Sequence, residues 1–221
     1  RVFQEARLLL QRGCRVSIAC RAGSPLEDHC RSFPDTLFNF KPIKMDKAFN
    51  LGALTALYQY INEINPDIIH THSSVDSWLG GVVGKFTGIP VIRSRHVSLP
   101  VKGFFPNHLL YSYIPERILT SGDAISDMIK RVRCVDPRRV VSIPAGVDLR
   151  RFNSTISGKI IREEFKVKPG QPFVGKIAVI RGWKGHDYFL EAIPLILQQI
   201  PNARFLIVGD GPGFEQIKSK V

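Results

Sequence analysis

An α/β protein built on doubly wound parallel sheets is what this 221-residue sequence predicts. Three observations carry that expectation. Strand-like apolar runs alternate with helical patterns along almost the whole chain. The runs are short and nearly continuously apolar, as at Asp67-Ile68-Ile69-His70-Thr71-His72 and Phe173 to Ile180, which suits strands covered on both faces. Histidine, arginine and glycine recur at the carboxyl ends of those runs, where open parallel sheets bind their ligands.

Taken in order, Val2, Phe3, Ala6, Leu9 and Leu10 form the apolar face of a first helix, ended by Gly13. Arg15 to Cys20 reads as a strand, and the stretch from there to about Phe49 reads as irregular. Leu51, Leu54, Leu57, Tyr58, Ile61 and Ile64 make a second helical stripe, stopped by Asn65-Pro66. The 67–72 strand follows, then a helix from about Ser77 to Thr87 closed by Gly88, then a strand from Pro90 to His96. Residues 97–116 are rich in proline and aromatics, with a helix expected near Asn107 to Ile114. Arg117 to Ser121 and Val140 to Ile143 read as strands flanking a helix from Ala124 to Val132. A polar stretch from Arg150 to Gly170 is the natural domain boundary, giving domains 1–155 and 156–221. Beyond it come strand 173–180, helix 187–200 with Pro194 inside it, strand 203–208 and the start of a last helix. A kink or a reset of the first turn is expected at Pro194.

Composition narrows the function. Hydrophobic content of 44% and charged content of 23% are those of an ordinary globular protein. No apolar run approaches the ~20 residues that span a bilayer. Cys14, Cys20, Cys30 and Cys134 form no C-x-x-C pair, so they read as reduced thiols in a cytoplasmic protein rather than as a zinc site. Net charge is +12, of which +8 lies in residues 1–155 and +4 in the rest, with a local cluster at Lys130, Arg131, Arg133, Arg138, Arg139, Arg150 and Arg151. That excess suits phosphorylated small molecules or peripheral contact with an anionic membrane. No nucleic-acid motif and no basic–aromatic interleaving is present, which argues against a nucleic-acid partner.

The densest chemistry is Arg181-Gly182-Trp183-Lys184-Gly185-His186, on a strand-to-helix turn. Such a turn aims backbone N–H groups and the positive end of a helix at one spot, and two fixed cations there suit a diphosphate. A solvated loop with two surface cations is the plain alternative. His72 and His96 each end a strand expected to be internal, and Gly209-Asp210-Gly211 follows another. The Gly209-x-Gly211 turn is only half of a dinucleotide fingerprint, since Pro212 stands where the helix should open. No Asp-x-Asp occurs, so a metal bridging a nucleotide-sugar diphosphate is not expected. Neither a P-loop nor a G-x-S-x-G elbow is present.

These segments in this order resemble the glycosyltransferases of the GT-B fold, in the large retaining family 4. The resemblance rests on "EARLLLQRGCRV", "DIIHTHSS" at 67–74, "GIPVIRSRH" at 88–96, "ILTSGDAISDMI" at 118–129, "IPAGVDLRRF" at 143–152, "VIRGWKGHDYFLEA" at 179–192 and "ARFLIVGDGP" at 203–212. It implies two Rossmann-like domains, the first binding the acceptor and the second a UDP- or GDP-sugar. Carried over by position, Arg181 and Lys184 hold the donor diphosphate, and His96 and His72 face the transferred sugar and acceptor as the catalytic histidines. Gly209 and Gly211 lie near the nucleoside. The family's Pro-Asn-Gly-Val-Asp reads Ala145 at its second position here, and its Gly-Arg before the Lys-Gly turn reads Ala178-Val179, with Arg181 three residues ahead of Lys184. The resemblance further implies retention of anomeric configuration and no metal. It points to a glycan or glycolipid acceptor of the cell envelope, such as lipopolysaccharide, at the inner face of the membrane. By the same resemblance the family's first strand and its Glu-x7-Glu motif fall outside these residues, so the second domain is expected to be incomplete and this stretch alone inactive. The alternatives are a non-catalytic nucleotide- or glycan-binding module and a nucleotide-sugar epimerase, with an NAD oxidoreductase disfavoured by the missing fingerprint.

Overall fold

The structure, a computed structural model, describes residues 2–48, 50–101 and 105–221, with Pro106 as backbone alone. Arg1, Phe49 and the 102–104 part of the proline- and aromatic-rich stretch therefore lie outside the described residues. The chain divides into two compact units, Arg1–Gly146 and Val147–Val221.

In the first unit the order is α1 (Val2–Leu10), β1 (Val16–Arg21), α2 (Pro25–Arg31), β2 (Phe38–Ile43), α3 (Leu51–Ile64), β3 (Ile69–Thr71), α4 (Ser74–Thr87), β4 (Val91–Arg95), α5 (Phe105–His108), β5 (Arg117–Thr120), α6 (Asp123–Lys130) and β6 (Val140–Ser142). β1 pairs with β2, and β3-β4-β5-β6 form a four-stranded sheet in that order, with every pairing parallel. Helices cover both faces of β1. Ile18 and Cys20 pack with Ala6 of α1 and Cys30 of α2, while Ala19 lies against the cluster of Ala53, Leu57, Ile61, Leu79 and Val83 from α3 and α4. The largest cluster joins Val91, Ile118 and Val140, one from each of β4, β5 and β6, to Ile129 of α6 and to Leu110, Tyr111 and Ile114.

Two elements occupy the stretch expected to be irregular. Ser24 caps α2, accepting from the Glu27 N–H at 3.4 Å, and Pro25 takes the first turn, where its missing N–H costs nothing. β2 forms because β1 offers it a parallel ladder from Val16↔Phe38 to Arg21↔Ile43; its own sequence, Phe-Asn-Phe-Lys-Pro-Ile, is too mixed to announce a strand. The helix expected from Ser77 starts three residues earlier, on a capping box in which Ser73 and Asp76 each satisfy the other's backbone N–H. The helix expected near 107–114 is α5 running into a five-residue π-helical turn, Leu109–Tyr113. α4 is pressed onto the sheet so tightly that a Cβ on Gly84 would stand 2.4 Å from a methyl of Val91.

The second unit holds α7 (Lys159–Glu164), β7 (Phe173–Ile177), α8 (His186–Gln199), β8 (Arg204–Val208) and α9 (Phe214–Lys218), with β7 and β8 parallel. α8 is helical without interruption through Pro194, where a kink or reset was expected. β7 stops three residues earlier than the apolar run. Residues 178–180 leave the ladder to meet the turn after β8, which shapes the candidate site.

Candidate functional site

In the second unit, residues 178–180 run beside the 209–213 turn. The Ala178 N–H donates to the Val208 carbonyl at 3.1 Å, the Ile180 N–H to Asp210 at 2.9 Å, and the Gly213 N–H to Ile180 at 3.0 Å. Two glycines permit that approach. A Cβ on Gly209 would lie 2.0 Å from the Ala178 carbonyl oxygen, and one on Gly211 would lie 2.6 Å from that of Ile180. Gly211 also sits at φ +146°, where side chains are rarely found. The structure thus gives these glycines a steric reason that the sequence alone does not show.

Arg181 follows at once, in extended backbone. A single 3₁₀ turn, Gly182–Lys184, closes with the Lys184 N–H donating to the Arg181 carbonyl at 3.0 Å. Gly185, at φ 69°, then turns the chain into α8. Arg181, Trp183 and Lys184 are all exposed, and the Arg181 guanidinium sits 4.9 Å over the Trp183 ring. Neither cation has a carboxylate partner among the described residues. Two unpaired cations and the positive end of a 14-residue helix therefore share one exposed turn. Next to them His186 is 3% exposed, and neither ring nitrogen has a hydrogen-bond partner among the described residues. Its place at the end of the motif gave no sign of that burial.

In the first unit, His72 leaves β3 under tight control. The Asp76 carboxylate accepts the N–H groups of His72 at 2.9 Å and of Ser73 at 2.6 Å. The His72 and His96 rings stack with centroids 6.0 Å apart, so the structure brings together the two histidines that end successive strands. His70 joins them, its ring centroid 4.1 Å from that of His72 and its Nε2 2.8 Å from Ser94 Oγ. Glu5 of α1 places Oε2 4.0 Å from His72 Nε2. Glu5 stood among the polar positions of a helix read only for its apolar stripe, so sequence reasoning passed it over.

Alternate β4 residues face the other way. Arg93, only 4% exposed, lies with its guanidinium 4.2 Å over the Tyr111 ring and donates to the Tyr111 hydroxyl at 3.2 Å. Arg95 donates to the same hydroxyl and to the Leu99 carbonyl. Burial lowers the Arg93 pKa, opposed by the polarity of Tyr111. Sequence reasoning missed Arg93 and Tyr111; the i, i+2 spacing of Arg93 and Arg95 was the available signal.

The basic cluster proves smaller than its sequence suggests. Arg138 pairs with Asp136 at 3.0 Å, and Arg139 donates to the carbonyls of Ser112 and Pro115. Lys130, Arg131 and Arg133 are exposed. No helix among the described residues is long and apolar enough to cross a membrane.

Comparison with known proteins now adds to this geometry. Residues 1–151 match the model of Glycosyltransferase Family 4, and residues 158–221 that of Glycosyl transferases group 1. An Escherichia coli UDP-Gal:alpha-D-GlcNAc-diphosphoundecaprenol alpha-1,3-galactosyltransferase is 27% identical over 238 residues, covering 98% of this chain and 59% of that protein. A D-inositol 3-phosphate glycosyltransferase of Actinosynnema mirum is 26% identical, covering 75% of this chain and 43% of its own length. The chain thus spans about 59% of the first relative and less of the second. Among solved structures, a glycosyltransferase from Rickettsia africae superposes with TM-score 0.79 at 18% identity, covering 97% of this chain and 58% of that one. Anabaena HepE in complex with UDP-glucose gives 0.72 at 15%, covering 92% and 57%. With the parallel sheets, the two units and both family models agreeing, the chain belongs to glycosyltransferase family 4 and carries the GT-B type of α/β fold.

Proposed function

We propose that the protein carrying this chain transfers a sugar from a UDP- or GDP-sugar to a glycan or glycolipid acceptor, retaining anomeric configuration and needing no metal at the diphosphate. The observation that carries this reading is the exposed turn at 181–184, where Arg181 and Lys184 have no carboxylate partner among the described residues and stand at the N-terminus of α8. A diphosphate gathers negative charge as the anomeric bond breaks, and fixed cations with helix N–H groups stabilise that charge without an ion. The same reading places the nucleoside beside Gly209 and Gly211, and gives His96 and His72 to the sugar and acceptor. It makes 1–155 the acceptor side and 156–221 the donor side.

Two comparisons support the substrate class. The Escherichia coli relative is named for a UDP-galactose donor and a diphosphoundecaprenol-linked acceptor, and the Anabaena structure holds UDP-glucose. An envelope glycan such as lipopolysaccharide, handled on the cytoplasmic face of the membrane, fits such an acceptor. Exposed Lys130, Arg131 and Arg133 would favour peripheral contact with anionic lipid there.

Calorimetric titration of UDP and GDP into the chain tests the donor site. Binding that weakens about tenfold or more in Lys184→Ala is the expected outcome. Equal binding by wild type and Lys184→Ala would remove the site. Incubating the full-length protein with UDP-sugars and no acceptor separates transfer from epimerisation: conversion of the donor sugar under those conditions overturns the transferase reading.

A further inference from the structure

Glu5, His70 and His72 converge within the first unit. Their ligand atoms, one from each residue, all lie within 4.8 Å of one another. The convergence has two sources. His70 and His72 are two residues apart at the end of β3, so the alternation of an extended chain puts both imidazoles on one face. α1 then lays Glu5 across that face, with its Oε2 4.0 Å from His72 Nε2.

We propose that Glu5, His70 and His72 form a site for a divalent transition cation of the zinc class. Two imidazoles with one carboxylate make a donor set that suits zinc and its neighbours and is poorly matched to magnesium or calcium, which prefer oxygen alone. Ligand atoms about 2.0–2.1 Å from zinc stand roughly 3.4 Å apart in a tetrahedron. The three groups therefore need to close by up to about 1.4 Å, which side-chain rotation supplies. Three protein ligands leave a fourth position for water.

The surroundings fit as well. Ser94 Oγ lies 2.8 Å from His70 Nε2, so with Nδ1 turned to the ion Ser94 would hold the ring as the outer partner of a ligating imidazole does. The Asp76 carboxylate, by accepting the His72 N–H, fixes the backbone from which the second ring projects. The His72 and Glu5 side chains are 16% and 34% exposed, so an ion would be partly withdrawn from water yet reachable. The ion would staple α1, a nine-residue helix that buries only Ala6 and Leu10, to the end of β3. It would also engage the His72 ring, so a bound ion and a proton-transfer role for that ring exclude each other.

Titrating Co²⁺ into the chain above the ordinary imidazole pKa of about 6.5 tests the site. One ion per chain is expected, with visible d–d absorption, no thiolate charge-transfer band, displacement by Zn²⁺, and a melting temperature raised by Zn²⁺. His70→Ala and Glu5→Gln should each weaken binding about tenfold or more, while His29→Ala leaves it unchanged. His70 is exposed and Glu5 half-exposed, so both variants should fold; His70→Asn serves if the alanine variant melts early. No Co²⁺ binding up to roughly 1 mM, or binding unchanged in either ligand variant, overturns the site. The measurement involves no nucleotide, so its outcome is separate from that of the transferase reading.

Discussion

Arg93 keeps its charge in the core by lying flat on Tyr111. The guanidinium carbon is 4.2 Å from the ring centroid, and one of its nitrogens reaches the phenol oxygen at 3.2 Å. Among the described residues, only the Leu110 carbonyl, at 3.5 Å, offers it another acceptor. Buried guanidinium groups usually pair directly with a carboxylate; here an aromatic ring makes the close contact, and the Asp76 carboxylate favours the charge without pairing to it. Tyr111→Phe leaves the ring and removes the hydroxyl that serves both Arg93 and Arg95. An expected loss of about 1–3 kcal/mol in urea unfolding follows. Tyr111→Ala, which also empties the ring's volume, should cost about 3–5 kcal/mol.

Gly209 and Gly182 offer a contrast within one unit. A methyl on Gly209 meets the Ala178 carbonyl at 2.0 Å, whereas one on Gly182 meets nothing within 4 Å. Gly209→Ala should destabilise the 147–221 unit by about 3 kcal/mol. Gly182→Ala should stay within about 0.5 kcal/mol. Thermal melts of the two variants decide this, and similar melting temperatures would contradict the packing described for the turn.

Trp183 is 77% exposed and lies under the Arg181 guanidinium, whereas Trp78 is packed against the core. If UDP seats at this turn, Trp183 fluorescence should change on binding, and Trp183→Phe should abolish the change while leaving affinity within about threefold. Trp78→Phe should preserve the signal. A fluorescence response retained in Trp183→Phe would place the nucleotide elsewhere.

Cys20 and Cys30 are buried, and burial raises both thiol pKa values, that of Cys30 to about 11. A thiol in the unfolded chain ionises near 8.5. Between those values the folded state holds protons that the unfolded state has lost, so stability is full below about pH 8.5 and falls as pH rises toward 11. The urea midpoint should therefore decline across that window. Under native conditions iodoacetamide should modify exposed Cys14 well before Cys20 or Cys30.

The α/β class and most elements were legible because buried parallel strands carry their own signature. Ile68-Ile69 and Val91-Ile92 are short β-branched apolar pairs set between turn-forming residues, which marks both strands without their partners. β2 was not, because Asn39, Lys41 and Pro42 break the pattern and the strand exists only through its ladder with β1. The π-helical turn at 109–113 was hidden for a similar reason: its bonding is a property of backbone geometry, while its composition is that of any helix. Of the candidate residues, sequence named His72, His96, Arg181 and Lys184 from their places after strand-like runs. It could not name Glu5 or Tyr111, which reach their places from other elements, nor show that His186 turns inward.

The backbone of Ile180 ties the candidate donor turn to a distant segment. Its N–H and carbonyl are both claimed by residues some thirty positions further on, Asp210 and Gly213. Arg181 is the very next residue, so its approach is set by a segment made later. A substitution that displaced the 209–213 turn would therefore shift Arg181 without touching it, so the setting of the 181–184 cations answers to residues far along the chain.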